Sequence, residues 1–244
     1  MFSPLEQFTI VPLIPLGYFS FTNSAFFMLL TTGLVSFLFY LVTTNGGFLV
    51  PSRWQSFVEM IYEFVLNLVE EQIGSAGKKY FPFIFTTFTF LLFSNLIGMI
   101  PYSFTTTSHF IVTFTLSISI FIGVTLIGFQ KHGIHFFSFF LPPGAPLALA
   151  PFLVVIEVVS YSFRGISLGV RLFANLMSGH VLLKVLAGFA WTMLCSGGVL
   201  LVASAIPVVV VYLLFFLEVG VAALQSYVFA ILTCIYINDA IQLH

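Results

Sequence analysis

Apolar residues in this chain come in runs longer than a globular core requires, and the runs end at turn-forming residues. Tyr18 to Val42 carries no charge and stops at Thr43-Thr44-Asn45-Gly46-Gly47. About 20 apolar residues at about 1.5 Å rise cross a bilayer's hydrocarbon core, so 18–42 is a first span. From Ser52 to Ile73 the pattern changes: Trp54, Phe57, Val58, Ile61, Tyr62, Val65, Leu68 and Val69 recur at three- and four-residue spacing, opposite Glu59, Glu63, Asn67 and Glu70. This spacing predicts an amphipathic helix over 52–73 at the membrane interface, either a passive surface element or a docking face. Between Lys79 and Lys131 there is no charged residue, and Ile100-Pro101-Tyr102 with Ser103 to Ser108 divides the run into a hairpin of spans over 80–100 and 108–130. A polar, proline-rich connection follows, from Lys131 through His132 and His135 to Leu141-Pro142-Pro143-Gly144-Ala145-Pro146. Two further apolar helices, 147–195 and 199–240, are separated only by Ser196-Gly197-Gly198. Each exceeds the length of a perpendicular span, so both are expected to be strongly tilted or bent.

Composition fixes the class. Hydrophobic residues make up 60% of the 244 positions and charged residues 6%, against about 25% charged in a soluble domain. A backbone in hydrocarbon must satisfy its own hydrogen bonds, and these runs are far longer than a barrel strand. The expected fold is all-α integral membrane: a single membrane domain over 1–244, about five transmembrane helices plus one interfacial amphipathic helix, the last two spans forming a long tilted hairpin. A net charge of -1 argues against a nucleic-acid surface. Cys195 and Cys234 lie in apolar surroundings without CxxC spacing, as packing residues. Neither end reads as a cleaved address: the first 22 residues hold Glu6, Pro4, Pro12 and Pro15 and no basic residue. Because the amphipathic helix does not cross, Arg53, Lys78, Lys79 and Lys131 share one side, and Pro101 to Ser108 and the Gly197-Gly198 turn share the other. Positive-inside bias then puts the amino terminus outside and the carboxyl terminus inside.

Against this background the charges in the last two helices stand out: Glu157, Arg164, Arg171, Lys184, Glu218 and Asp239, with His180 among them. A charged side chain at mid-membrane costs about 2.5–3.5 kcal/mol on insertion scales, so such residues mark function. Glu157, Arg164, Arg171 and Ser178 recur every seven residues, with Asn175 one turn beyond Arg171, and Glu218, Gln225 and Asp239 fall at multiples of seven. Each set lines one helical face. In an antiparallel hairpin turning at Gly197-Gly198, residues equally far from the turn share a depth. Arg171 then faces Gln225, Glu157 faces Asp239, and His180 lies near Glu218. His180 is half a helical turn from Arg171, so its layer can open on another face. Arg171 keeps its proton and serves as a fixed barrier, whereas His180, Glu218, Glu157 and Asp239 can titrate. Two titratable layers on either side of an obligate cation describe two half-channels that do not connect directly. The carboxylate that Arg171 lacks must come from another chain. Arg164 fits snorkelling or a structural contact to the acidic pair better than a second electrostatic element, Lys184 a snorkelling residue, His109 a satisfied interface histidine better than a relay, and Asn95 and Gln225 bonds across helices.

The segment Gly169-Val170-Arg171-Leu172-Phe173-Ala174-Asn175-Leu176-Met177-Ser178-Gly179-His180 resembles the signature of subunit a of F-type ATP synthases. Glu218 with Leu224-Gln225-Ser226-Tyr227-Val228-Phe229 resembles the second such segment, and Ser3-Pro4-Leu5-Glu6-Gln7-Phe8 and Asn95-Leu96-Ile97-Gly98-Met99-Ile100-Pro101 extend the likeness over nearly the whole chain. Ala174 and the order of His180 before Glu218 resemble mitochondrial and α-proteobacterial members. The resemblance implies a proton-translocating stator subunit beside a rotating c-subunit ring. Protons enter past His180 and Glu218 from the intermembrane side, neutralise a ring carboxyl, and leave past Glu157 and Asp239 on the matrix side. Arg171, supported by Asn175 and Gln225, blocks the shortcut. The implied partners are the c-ring, peripheral stalk subunit b, other small membrane-sector subunits and the lipid bilayer. The implied location is the mitochondrial inner membrane, with the α-proteobacterial inner membrane as the alternative. No cofactor, metal or nucleotide site is implied; no GxxxxGK[ST] loop occurs, so the chain is not an enzyme on its own. A secondary transporter would show related halves, which are not evident, and a haem subunit would need paired axial ligands, which five scattered histidines do not offer. A purely structural membrane subunit would tolerate replacement of its charges.

Overall fold

Long apolar runs leave the backbone no water to bond with, and the helix, which satisfies its own amides, takes nearly all of them. The computed structural model describes residues 5–15, 20–44, 50–101, 103–134, 136 and 149–242. The helices are α1 (Asn23–Thr44), α2 (Arg53–Ile73), α3 (Phe81–Gly98), α4 (Phe110–His132), α5 (Ala150–Ser196), α6 (Val199–Ala203) and α7 (Ala205–Ile241). Among the described residues five helical segments are long and apolar enough to cross a membrane: α1, α3, α4, α5, and α6 with α7. The chain is therefore an all-α integral membrane protein. The expected start of the first span at Tyr18, the turn at Asn45-Gly46-Gly47, Ser3-Pro4, Tyr102, His135, the segment 141–146 and the helix start at Leu147 lie outside the described residues.

The chain divides into two compact units. One comprises Met1–Leu41, Thr89–His109 and Leu172–Ser226, the other Val42–Phe88, Phe110–Arg171 and Tyr227–His244.

In the first unit a short antiparallel pair, β1 (Pro12–Ile14) and β2 (Phe21–Thr22), precedes α1. Asn23 ties it down, its Nδ2 donating to the Thr9 carbonyl at 3.2 Å and its Oδ1 accepting from the Val11 amide at 3.3 Å. This pairing moves the start of the first helix later than hydropathy alone indicates. Asn95 on α3, fully buried, donates to the Ala222 carbonyl at 3.1 Å and the Ser226 hydroxyl at 3.2 Å, bonding across helices as its place in an apolar run suggested. Phe104 to Ser108, which hydropathy reads as an ordinary connection, is buried throughout. Gly197 and Gly198 both take positive φ, 68° and 61°, a turn that side chains with a Cβ rarely adopt. Beyond it the expected single helix is split. Pro207 has no amide to donate and its ring excludes the carbonyl four residues back, that of Ala203, so α6 ends there and α7 starts anew after Ser204.

In the second unit Ser52 caps α2, accepting from the Gln55 amide at 3.3 Å. Tyr62 packs edge-on against Phe81, with centroids 4.9 Å apart, and Phe64 against Phe88. Trp54, Phe57 and Met60 of α2 are exposed. Gly165 and Gly169, one turn apart on α5, let α4 approach closely: a Cβ on Gly165 would come within 2.9 Å of Phe121, and one on Gly169 within 3.1 Å of the Thr113 carbonyl. Ser117 of α4 donates to the Gly165 carbonyl. This is the small-xxx-small device by which membrane helices gain dispersion contact where lipid offers no hydrophobic drive. Lys131 and His132 at the end of α4 both reach the Ile241 carbonyl, each at 3.1 Å, so the last turn of α7 has side-chain partners for an acceptor the helix leaves open.

Candidate proton path

The first unit gathers the richest polar set around His180. Its Nδ1 lies 3.7 Å from Glu218 Oε1, within ion-pair distance when the ring is protonated but beyond hydrogen-bond length. Its Nε2 lies 3.1 Å from the Thr105 hydroxyl. The Phe8 ring meets the imidazole edge-to-face at 6.3 Å. Glu218 is only 5% exposed, and neither carboxyl oxygen has a hydrogen-bond partner among the described residues. Burying a carboxyl without partners is costly. Helix α5 makes room for it with Gly179, where a Cβ would fall 2.6 Å from Glu218 Oε1.

A cavity of about 1180 Å³ reaches His180. Glu6, Gln7, Asn23, Thr105, His180 and Lys184 supply its polar lining, and Phe8, Phe27 and Phe215 part of the apolar wall. Sequence reasoning placed Lys184 as a snorkelling cation; it is half-buried on the cavity wall. Thr105 was not singled out, because a threonine in a polar loop has no signal of its own. Asn175 is half-buried on α5 and Gln225 is buried on α7.

The second unit holds the other expected residues. Arg171 is exposed on α5, and no carboxylate lies within ion-pair distance of it among the described residues. Gln225 belongs to the first unit and Arg171 to the second. Asp239 pairs with Arg164, Nη1 to Oδ2 at 2.8 Å, and the guanidinium lies 5.9 Å from the Tyr236 ring centroid. Glu157 is half-buried and makes no ion pair among the described residues. The equal-depth arithmetic matched Asp239 to Glu157 because it compared Cα positions. Helical side chains lean toward their own amino terminus, and in an antiparallel pair those directions oppose, so partners lie farther from the turn than their depths suggest. Arg164, a long side chain, reaches the acid that the arithmetic assigned elsewhere. His109, just ahead of α4, stacks on Phe104 with centroids 5.0 Å apart, and burial pushes its imidazole below the ordinary histidine range.

Against known proteins, the ATP synthase A chain family matches residues 25–238. The chain belongs to this family. It is 64% identical over 249 aligned positions to ATP synthase subunit a of Marchantia polymorpha, covering 99% of each chain. Subunit a of Brassica napus is 60% identical over 99% of this chain and 97% of its own, and that of Oenothera berteroana 61% identical over 99% and 90%. Membership in the subunit a family accounts for the likeness carried by the Gly169–His180 and Glu218–Phe229 segments and displaces the secondary-transporter and haem-subunit readings. All three relatives are plant proteins, which gives the α-proteobacterial alternative no support.

Proposed function

We propose that this chain is the proton-translocating stator subunit of the membrane sector of a rotary ATP synthase, with two offset half-channels that serve the carboxylates of a rotating c-ring. The observation that carries the reading is the Glu218 carboxyl, buried without a hydrogen-bond partner among the described residues and 3.7 Å from a His180 that lines the cavity. On the intermembrane side protons pass through that cavity to His180 and Glu218 and on to a ring carboxyl. Only the neutral carboxyl moves cheaply through lipid, since a bare charge there costs about 2.5–3.5 kcal/mol or more. On the matrix side the proton leaves past Glu157 and Asp239. Arg171, an exposed cation with no carboxylate within ion-pair distance among the described residues, attracts the ionised ring carboxylate and stops protons crossing directly. Asn175 and Gln225 support it. The partners are the c-ring, peripheral stalk subunit b, other small membrane-sector subunits and the bilayer, and nucleotide chemistry belongs to other chains of the complex. The location is the mitochondrial inner membrane, with the basic residues Arg53, Lys78, Lys79 and Lys131 on the matrix side. At about 2.3 kcal/mol per charge per 100 mV, several protons together drive synthesis.

The test is ATP-driven pumping and passive leak in vesicles that hold the whole complex with Arg171→Ala. Lost pumping in assembled complexes, with raised leak, is the expected result. Normal coupled pumping would sink the barrier mechanism and return the structural reading.

A further inference from the structure

Histidine carries protons on either of two nitrogens, and which one is used depends on what holds the other. His180 presents Nδ1 to Glu218 and Nε2 to Thr105. The Thr105 hydroxyl has one proton, and a second neighbour competes for it: the Gly98 carbonyl at 3.1 Å. Ser103 also approaches that carbonyl at 3.1 Å, but its single proton has closer acceptors, the Ile97 carbonyl at 2.6 Å and the Ile100 carbonyl at 2.7 Å. Gly98 ends α3, where carbonyls have no intrahelical donor, so among the described residues Thr105 is the donor left for it. Toward His180 the Thr105 oxygen is then an acceptor, and Nε2 carries a hydrogen. The loop is built to hold this geometry. Thr105 is 5% exposed, a Cβ on Gly98 would strike its Cγ2 at 2.6 Å, and Phe8 closes on the ring from another side.

We propose that Thr105 is a positioning residue that holds His180 with its hydrogen on Nε2, so that Nδ1 alone takes up and releases protons. In the step that follows, the Nδ1 lone pair accepts a proton from the cavity and the ring becomes imidazolium. As the ion pair closes from 3.7 Å to hydrogen-bond length, the Nδ1–H bond breaks, a Glu218 carboxylate oxygen takes that proton, and the neutral Nε2–H ring is restored. His180 does not pass a proton through its ring from one nitrogen to the other; it works on one edge. This inference rests on the proton-path reading of His180 and Glu218.

The experiment uses the whole complex in vesicles, with Thr105→Val, Thr105→Ser and His180→Ala, each scored as pumping per assembled complex. Histidine ring-nitrogen NMR of the same samples reports the tautomer of His180, identified by difference against His180→Ala. Valine keeps the shape and removes the acceptor. Loss of the partner that orients a metal-bound histidine typically costs about tenfold to a hundredfold; by the same orienting logic Thr105→Val is expected to pump about tenfold more slowly, with Thr105→Ser restoring most of the rate. The native spectrum should show the Nε2–H form, and the valine variant should lose that preference. Native-rate pumping by Thr105→Val overturns the inference, as does slowed pumping with the tautomer unchanged or without rescue by serine. His180→Ala separates the two levels: if it pumps normally, the proton-path reading itself fails, whereas a dead His180→Ala beside a fully active Thr105→Val removes Thr105 alone.

Discussion

The residues that matter most are those whose polarity conflicts with their surroundings, and His109 shows how the conflict is resolved outside the spans. Its ring stacks on Phe104, and burial favours the neutral imidazole over the cation. The folded state thus binds a proton less readily than the unfolded chain, whose histidine titrates near the ordinary value of about 6.5. The sign follows: the stabilising contribution is complete above the unfolded value and is lost as pH falls through it toward the lower folded value. Thermal melts of the detergent-solubilised complex between about pH 5 and 8 should therefore show an acid-side loss that shrinks in His109→Gln; an unchanged pH slope would refute this. At this scale the sequence was readable where a residue carries charge. The meeting of His180 with Glu218 follows from their similar distances from the Gly197-Gly198 turn and their shared cost in lipid. Thr105 was not readable, since only the fold reveals that a loop hydroxyl is buried against an imidazole.

Hydropathy places the helices well and their breaks less well. The spans follow from length and apolarity, but the split between α6 and α7 required attention to Pro207, which removes one hydrogen bond inside a run that is otherwise uniformly apolar. The β1–β2 pair was hidden for a related reason: the prolines and short apolar stretch before α1 have no periodicity that separates strand from coil. Helix pairing had a signal that charge reading overlooked, the spacing of Gly165 and Gly169. Because Phe121 occupies the space a side chain would need, Gly165→Leu is expected to destabilise the fold by about 1–3 kcal/mol through overpacking. Assembly yield and melting temperature would measure it, and a native-like melt would show that α4 and α5 can separate without penalty. The same reasoning explains the Asp239 assignment: equal Cα depth is a poor guide when both side chains lean in opposite directions, as those of Arg164 and Asp239 do.

For the molecule as a whole, orientation is the property on which the direction of proton flow depends. Lys78 and Lys79 are exposed, on the short segment between α2 and α3, and with Arg53 and Lys131 they form the basic side that positive-inside bias assigns to the matrix. A membrane-impermeant amine reagent should label Lys78 and Lys79 in inside-out inner-membrane vesicles and spare them in intact mitoplasts; the opposite pattern would reverse the entry and exit sides of the proposed path. The polar residues of that path were visible because hydrocarbon makes every charge conspicuous. The glycine beside them was not, and its consequence lies in the gene. At position 179 the space next to Glu218 is already filled by the acid itself, and every missense change of a glycine codon, however mild the replacement, adds a carbon that the acid must move to admit. The position has no conservative missense neighbour in the genetic code, so any change of amino acid there must be met by a shift of the acid or by a second change at it.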